Sequence, residues 1–343
     1  MELTPRKKAI LAEIVRAHIE NGEPIGSKIL AERLANAPST ATLRNEMSDL
    51  CEMGYLEQPH TSAGRVPTSR AYRLYVTELM QPEKLSEEGK SVVDGMLSSV
   101  SSDPESIGAS AATILSELTG LPALVASNAD RSVKIKRVSL LPMGRTAAVI
   151  FMITDDGRSK SRLVCTDCLI TPDLIARFDR IVSQKICGRD ASLLDMAYLQ
   201  SIVVLAGLDA LSLAPLLSNV FELAGQLNRT QVKVVGAANL FSICRGDIEA
   251  KRLLELLSGS DIVQNIFSAV TAPIGVLFGD DTAYTELKPT GMIVASYGDK
   301  RQYGKIALIG PTRMSYGSLL PSVEYLAGRV GNIMSDVLKG LEE

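Results

Sequence analysis

At 343 residues, with 46% hydrophobic and 22% charged residues, the chain is too long for one typical domain and has a globular composition. A net charge of −3 excludes a protein that coats nucleic acid indiscriminately, and five cysteines, an odd number, do not read as a disulfide framework. No signal-like apolar stretch follows MELTPRKKAI, and the most apolar long segment, Ile202 to Leu217, is interrupted by Asp209; the expectation is a soluble, cytoplasmic protein without a membrane span.

Thr4-Pro5 supplies an N-cap followed by proline at the first helical position. Ile10, Leu11, Ile14, Val15 and Ile19 then recur at helical spacing until Asn21-Gly22 stops the helix. After a Glu23-Pro24-Ile25-Gly26 connection, Ser27 is expected to cap a second helix running to about Leu34. The Asn36-Ala37-Pro38 turn breaks it. Ser39 caps a third helix with Leu43, Met47 and Leu50 on its buried face and Gly54 at its end. Tyr55 to Gln58 reads as a strand, His60 to Gly64 as a polar turn, and Arg65-Val66-Pro67 as the returning strand. Helix, helix, helix, hairpin is the order of a winged helix-turn-helix.

In that architecture the third helix enters the major groove, N-terminal residues foremost. Its outward positions are Ser39, Thr40, Thr42, Arg44 and Asn45. Arginine can bridge guanine O6 and N7, and asparagine can bridge adenine N6 and N7. Ser39 and Thr40 sit at a helix N-terminus, which suits a phosphate. With Ser27 and Lys28 from the second helix, and His60, Thr61, Ser62 and Arg65 from the wing, these are the candidate DNA contacts. Two plainer alternatives stand beside them. Arg44 could pair with a nearby carboxylate, and the stretch from Gln58 to Thr77, with Arg65, Arg70 and Arg73 and no acidic residue, could be a solvated loop.

Beyond Met80 a helical region with a break at Ser98 to Pro104 is expected as far as about Leu118. Strands follow at Lys134 to Leu141, Ala147 to Ile153 and Lys160 to Cys165, with Asp155-Asp156-Gly157 as a hairpin turn. A mainly helical stretch covers Thr171 to about Leu217 and Asn219 to Leu227, then a strand-like Gln231 to Val235. Strands return at Ile274 to Phe278, Gly291 to Tyr297 and Lys305 to Ile309, and a last helix runs from about Leu319 to Leu338. A sheet split in sequence by a helical block suggests one domain inserted in another.

Three segments, GEPIGSKILAER (22–33), STATLRNEMSDL (39–50) and GYLEQPHTSAGRVPTSRAYRLYV (54–76), closely resemble the heat-inducible transcription repressor family HrcA. GKIALIGPTRMSY (304–316) is similar to that family's C-terminal signature. The resemblance implies an α+β multidomain protein: a winged helix-turn-helix at 1–80, a GAF-like α/β domain at 81–169 and 246–343, and an inserted, mainly helical dimerisation domain at 170–245. It also implies a homodimer on an inverted-repeat operator of chaperone genes, kept active by a GroEL-type chaperonin that unfolded proteins occupy during heat stress. The chain departs from the family pattern at Ala71, where glycine is usual, and at GDDTAY (279–284), where a GEEN-like stretch is usual.

Other chemistry finds little support. Walker, dinucleotide, zinc-protease and nucleophile-elbow motifs are absent, and the two histidines, His18 and His60, both fall in the first sixty residues. Neither an enzyme nor a cofactor is expected. Cys165 and Cys168 form a lone C-x-x-C on a segment that reads as a strand, where residues three apart face opposite ways, so a metal site is not expected either. Arg313, after a tight turn in the C-terminal signature, could grip an anion or hold two elements together. The alternative function is a metabolite-sensing winged-helix repressor whose GAF-like domain binds a small effector.

Overall fold

The computed structural model describes the chain apart from residues 1–2, 36, 61–62, 82, 101–102, 128–132, 208–209, 228–230, 245, 299–302 and 343. In order, the elements are α1 (Pro5–Asn21), α2 (Ser27–Arg33), α3 (Thr40–Glu52), β1 (Leu56–Glu57), β2 (Val66–Pro67) and α4 (Ser69–Leu74). Then come α5 (Glu87–Leu97), α6 (Pro104–Thr119), β3 (Ala123–Ser127), β4 (Ile135–Pro142), β5 (Ala147–Thr154) and β6 (Ser159–Cys165). They are followed by α7 (Pro172–Lys185), α8 (Met196–Ala206), α9 (Ala210–Leu227), β7 (Val232–Val235), α10 (Leu240–Ile243), α11 (Asp247–Leu257) and α12 (Ser260–Ser268). The chain closes with β8 (Ile274–Phe278), β9 (Thr290–Tyr297), β10 (Gly304–Pro311) and α13 (Tyr316–Glu342).

Two compact units emerge, the first comprising Met1–Val100, Ala109–Ala126 and Val232–Gly331. It holds the winged helix and a five-stranded sheet in the order β7-β3-β10-β9-β8. β9 and β10 are apolar along nearly their whole length, from Met292 to Ala295 and from Ile306 to Ile309, because both faces of the sheet are covered. One face packs Leu124, Met292, Val294, Ala307 and Ile309 against Leu253 and Leu257 of α11 and Val263, Ile266 and Phe267 of α12. Lys305 pins the end of α12, its Nζ donating to Phe267 O at 2.6 Å and Val270 O at 2.5 Å. Those carbonyls lie at and just beyond the C-terminus of α12, where backbone acceptors outnumber donors.

The second unit is Ser101–Gly108, Ser127–Gln231 and Asn332–Glu343. Its centre is an antiparallel meander, β4-β5-β6, with β5 alternating between partly and fully buried positions as one-sided sheets do. Ala148, Ile150 and Met152 face Phe178 and Val182 of α7 and Leu213, Leu217 and Val220 of α9. Asp156 and Arg158 form a buried ion pair at 2.8 Å beside the expected hairpin turn. Each charge is further satisfied: Thr154 Oγ1 donates to Asp156 at 2.6 Å, and Arg158 Nη1 donates to Leu227 O at 2.8 Å.

The insertion expected at 170–245 has different limits. The early strands β4 to β6 do not join the sheet of β8 to β10; they close on themselves and pack on α7 to α9. Conversely Val232 to Val235, assigned to the insert, pairs antiparallel with β3, from Ala123↔Val235 to Ala126↔Val232. The inserted block is therefore 127–231 and is α+β, not mainly helical. Hairpin pairing between neighbouring strands needs no long-range partner, so β4 to β6 had no need of the distant sheet.

Candidate DNA-binding surface

Local signals build the winged helix as expected. Thr4 caps α1, accepting from Lys7 N at 3.3 Å, and Gly22 ends it in the left-handed conformation at φ 71°. Ile10, Leu11, Ile14 and Val15 bury against Leu30, Leu43 and Leu50 in the three-helix core. β1 and β2 pair antiparallel through Leu56↔Pro67 and Glu57↔Val66. A third strand position comes from the connection between α1 and α2. Ile25 N donates to Arg65 O at 2.8 Å, and Arg65 N returns to Ile25 O at 2.9 Å. A Cβ on Gly64 would lie 2.6 Å from Ile25 backbone atoms, so only glycine lets these chains approach.

The outward face of α3 carries the expected residues. Ser39 caps the helix, its hydroxyl accepting from Thr42 N at 3.1 Å and sharing a hydrogen bond with Thr42 Oγ1 at 2.9 Å. Thr40, Arg44 and Asn45 are exposed, as is Lys28 on α2. Arg44 pairs with no carboxylate among the described residues. The acidic groups beside it on α3 are occupied by Lys7 of α1, whose Nζ reaches Glu46 at 2.5 Å and Asp49 at 2.6 Å. These two hydrogen bonds hold the Lys7 ammonium above its ordinary pKa. One of the two negative charges that would repel a phosphate backbone is thereby offset. Sequence reasoning missed Lys7, although the i, i+3 spacing of Glu46 and Asp49 was a signal that one cation could serve both.

Two expectations need correction. Ser27 does not cap α2: Gly26 occupies the cap, and Ser27, inside the first turn, is only 8% exposed. Its hydroxyl accepts from Arg44 Nε at 3.4 Å, so it steadies Arg44 from below. The basic run also divides. Arg70 lies over the Tyr55 ring at 4.5 Å and donates to Met53 O at 2.9 Å, while Arg73 pairs with Asp281. Of the three arginines, Arg65 alone stands on the wing, where His60 is exposed; Thr61 and Ser62 lie outside the described residues. Arg65 Nε is buried without a hydrogen-bond partner. Such a donor costs about 1–3 kcal/mol while unsatisfied.

The opposite side of the winged helix rests on the end of the large sheet. Tyr72 of α4 packs on Phe278 and Tyr316 with ring centroids 6.4 Å away in each case, and its hydroxyl meets His18 Nδ1 at 2.7 Å. GDDTAY opens with a short turn, Gly279–Asp281, in which Asp280 accepts from Ser69 and Asp281 pairs with Arg73. A Cβ on Gly279 would fall 1.6 Å from Leu287 O, so the turn requires glycine. Arg313 reaches the end of α1, its Cζ lying 3.2 Å from where a Gly22 Cβ would sit. A cation is favoured at that partially negative helix terminus. Of the two roles open to Arg313, holding elements together is the one this geometry supports. Burial, and then the Arg313 charge, push the His18 pKa below 6.5. Ala71, the departure from glycine, is fully buried inside α4, where alanine suits a helix better.

The lone C-x-x-C gathers no ligand set. β6 ends at exposed Cys165, Cys168 lies in the following loop, and no group of three metal-binding side chains occurs among the described residues.

Residues 2–81 match the family model of the HrcA winged helix-turn-helix DNA-binding domain, and residues 105–320 match that of the HrcA C-terminal domain. The chain belongs to the HrcA family. Its heat-inducible transcription repressor relatives include HrcA of Desulforudis audaxviator, 31% identical with 99% of this chain and 100% of the relative covered. HrcA of Clostridium perfringens is 32% identical over 98% of this chain and 97% of its own. A crystal structure titled only as a hypothetical protein has the same fold, with a TM-score of 0.65 at 24% identity over 98% of this chain and 100% of that one. The HrcA assignment makes the N-terminal unit a winged-helix DNA-binding domain and the protein a transcription repressor of the heat-inducible class. No helix among its described residues is long and apolar enough to cross a membrane.

Proposed function

We propose that the protein represses chaperone genes by occupying an inverted-repeat operator as a homodimer, in the cytoplasm and without performing chemistry. The observation that carries this is the exposed N-terminal half of α3, where Thr40, Arg44 and Asn45 face solvent while Lys7 offsets part of the acidic charge behind them. Arg44 and Asn45 read base edges. Ser39, Thr40, Thr42 and Lys28 meet phosphates, with the free N–H groups at the start of α3 assisting. His60, Thr61, Ser62 and Arg65 follow the adjacent backbone.

A two-fold operator needs a two-fold protein. The inserted block, 127–231, is the proposed dimerisation domain, supported by apolar side chains left in water there, among them Val204 at 79% and Leu211 at 90% exposure. The five-stranded sheet and its helices are the proposed GAF-like domain. A GroEL-type chaperonin that keeps the repressor active is the control implied by the family.

Anisotropy of the full chain on duplexes bearing the repeat upstream of its host's chaperonin genes, with and without chaperonin, tests the proposal. Expected is a preference for the intact repeat over a scrambled one by about a thousandfold or more, with single half-sites weak and chaperonin raising the active fraction. Equal binding to every duplex would overturn it. Release of DNA by a small metabolite, with no response to chaperonin, would favour an effector-controlled repressor.

A further inference from the structure

The rear contact of the winged helix consists of side chains the DNA-facing surface does not use. On the winged-helix side stand His18, the terminus of α1 at Gly22, and Ser69, Tyr72 and Arg73 of α4. Phe278, Asp280, Asp281, Arg313 and Tyr316 answer them from the sheet. The chain holds no tryptophan and only 4% aromatic residues, yet Tyr72, Phe278 and Tyr316 converge on this one seam. Both ends of the aromatic patch are closed by charge, Arg73 with Asp281 at one and Arg313 on α1 at the other.

Only a short segment otherwise joins the winged helix to the body. Between Met80 and the start of α5 at Glu87, the described residues have no regular secondary structure, and Glu83 N is tied to Gly317 O at 3.1 Å, again beside the seam. A free tether of residues 81–86 would have a root-mean-square reach of about 13 Å. One inserted base pair moves a half-site by only about 3.4 Å and turns it by about 35°. The covalent link alone therefore tolerates errors of a base pair or more in half-site separation. A docked winged helix does not.

We infer that Arg313, with the Asp280–Asp281 turn, is a specificity-determining clamp: by fixing the winged helix on the sheet it sets which half-site spacing the repressor accepts. These residues touch no DNA. They act through the orientation of α3. This rests on the inverted-repeat reading above.

The test uses full-length wild type, Arg313→Gln and the double variant Asp280→Asn/Asp281→Asn on operators whose half-site spacing is changed by one or two base pairs, and on a single half-site. Arg313 is exposed and the Asp→Asn substitutions are isosteric, so an unchanged single half-site affinity certifies a folded winged helix. Expected is a wild type that loses affinity at least about tenfold for each altered spacing, and variants whose preference flattens to within about threefold. Variants as selective as wild type overturn the clamp while leaving the repressor reading intact. A wild type that binds intact repeat and single half-site alike overturns that reading and the clamp with it. Spin labels on Ser48→Cys and Lys251→Cys, in a background lacking the native cysteines, add a readout without DNA. Variants must broaden the distance distribution; an equally narrow one contradicts the clamp.

Discussion

The two sides of the winged helix use similar residues to opposite ends. On the groove-facing side, Thr40, Arg44 and Asn45 project from α3 into solvent. On the rear, Ser69 and Arg73 are held by Asp280 and Asp281, and Tyr72 is buried against two rings. An arginine on such a domain is therefore not a DNA contact by virtue of its charge. What distinguishes Arg44 from Arg73 is whether the protein supplies the anion. On the proposed groove side no carboxylate among the described residues meets Arg44, whereas the rear side supplies one to Arg73 from a loop about two hundred residues away.

The sharpest way to break the comparison is on the groove side. Arg44→Ala and Asn45→Ala should each reduce discrimination between the operator and its base-substituted versions by about 1–3 kcal/mol, roughly fivefold to 150-fold, read by competition binding. If neither changed preference, α3 would not be the reading helix. On the rear side, Gly22→Ala places a Cβ in a left-handed backbone and against the Arg313 guanidinium. The backbone strain alone is about 1–2 kcal/mol, visible in the urea midpoint of the full chain. An unshifted midpoint would contradict the left-handed conformation at Gly22.

Arg65→Ala tests the wing more gently. It should weaken specific and scrambled duplexes alike and lower the slope of log K against log salt by about one contact. A loss confined to the intact operator would instead make Arg65 a base reader. The smallest effect concerns pH. The His18 pKa is depressed by burial and by Arg313, with Glu23 acting in the opposite sense and Tyr72 as its hydrogen-bond partner. Below pH 6.5 the unfolded chain takes up a proton that the folded seam resists. The contribution is thus complete above that pH and declines as pH falls through it. The stability difference between wild type and His18→Gln should narrow from pH 7.5 to 5.5, and a constant difference would place His18 outside the seam.

Much of the groove side was legible in the sequence because its signals are local. Thr4-Pro5, Ser39 and Gly54 mark helix ends within a few residues, and Leu43, Met47 and Leu50 repeat at helical spacing. Ser27 misled because a good capping residue lay one position inside the helix, next to Gly26. The seam was not legible. Arg73 and Asp281 are 208 residues apart, and nothing in either neighbourhood announces the other. The same holds for the inserted block: β4 to β6 were placed correctly along the chain, but which sheet they join is decided by packing on α7 and α9. β3 went unread because ALVAS is five residues without alternation, and α11 and α12, between Asp247 and Ser268, were passed over despite apolar residues at helical spacing.

The comparison itself is tested most directly by setting Arg44→Ala beside Arg73→Ala and measuring, on a single half-site, discrimination between the operator sequence and a scrambled one. Loss of discrimination with Arg44→Ala and its retention with Arg73→Ala is the result predicted by one face that reads and another that holds. The reverse outcome, discrimination surviving without Arg44 and lost without Arg73, would contradict it.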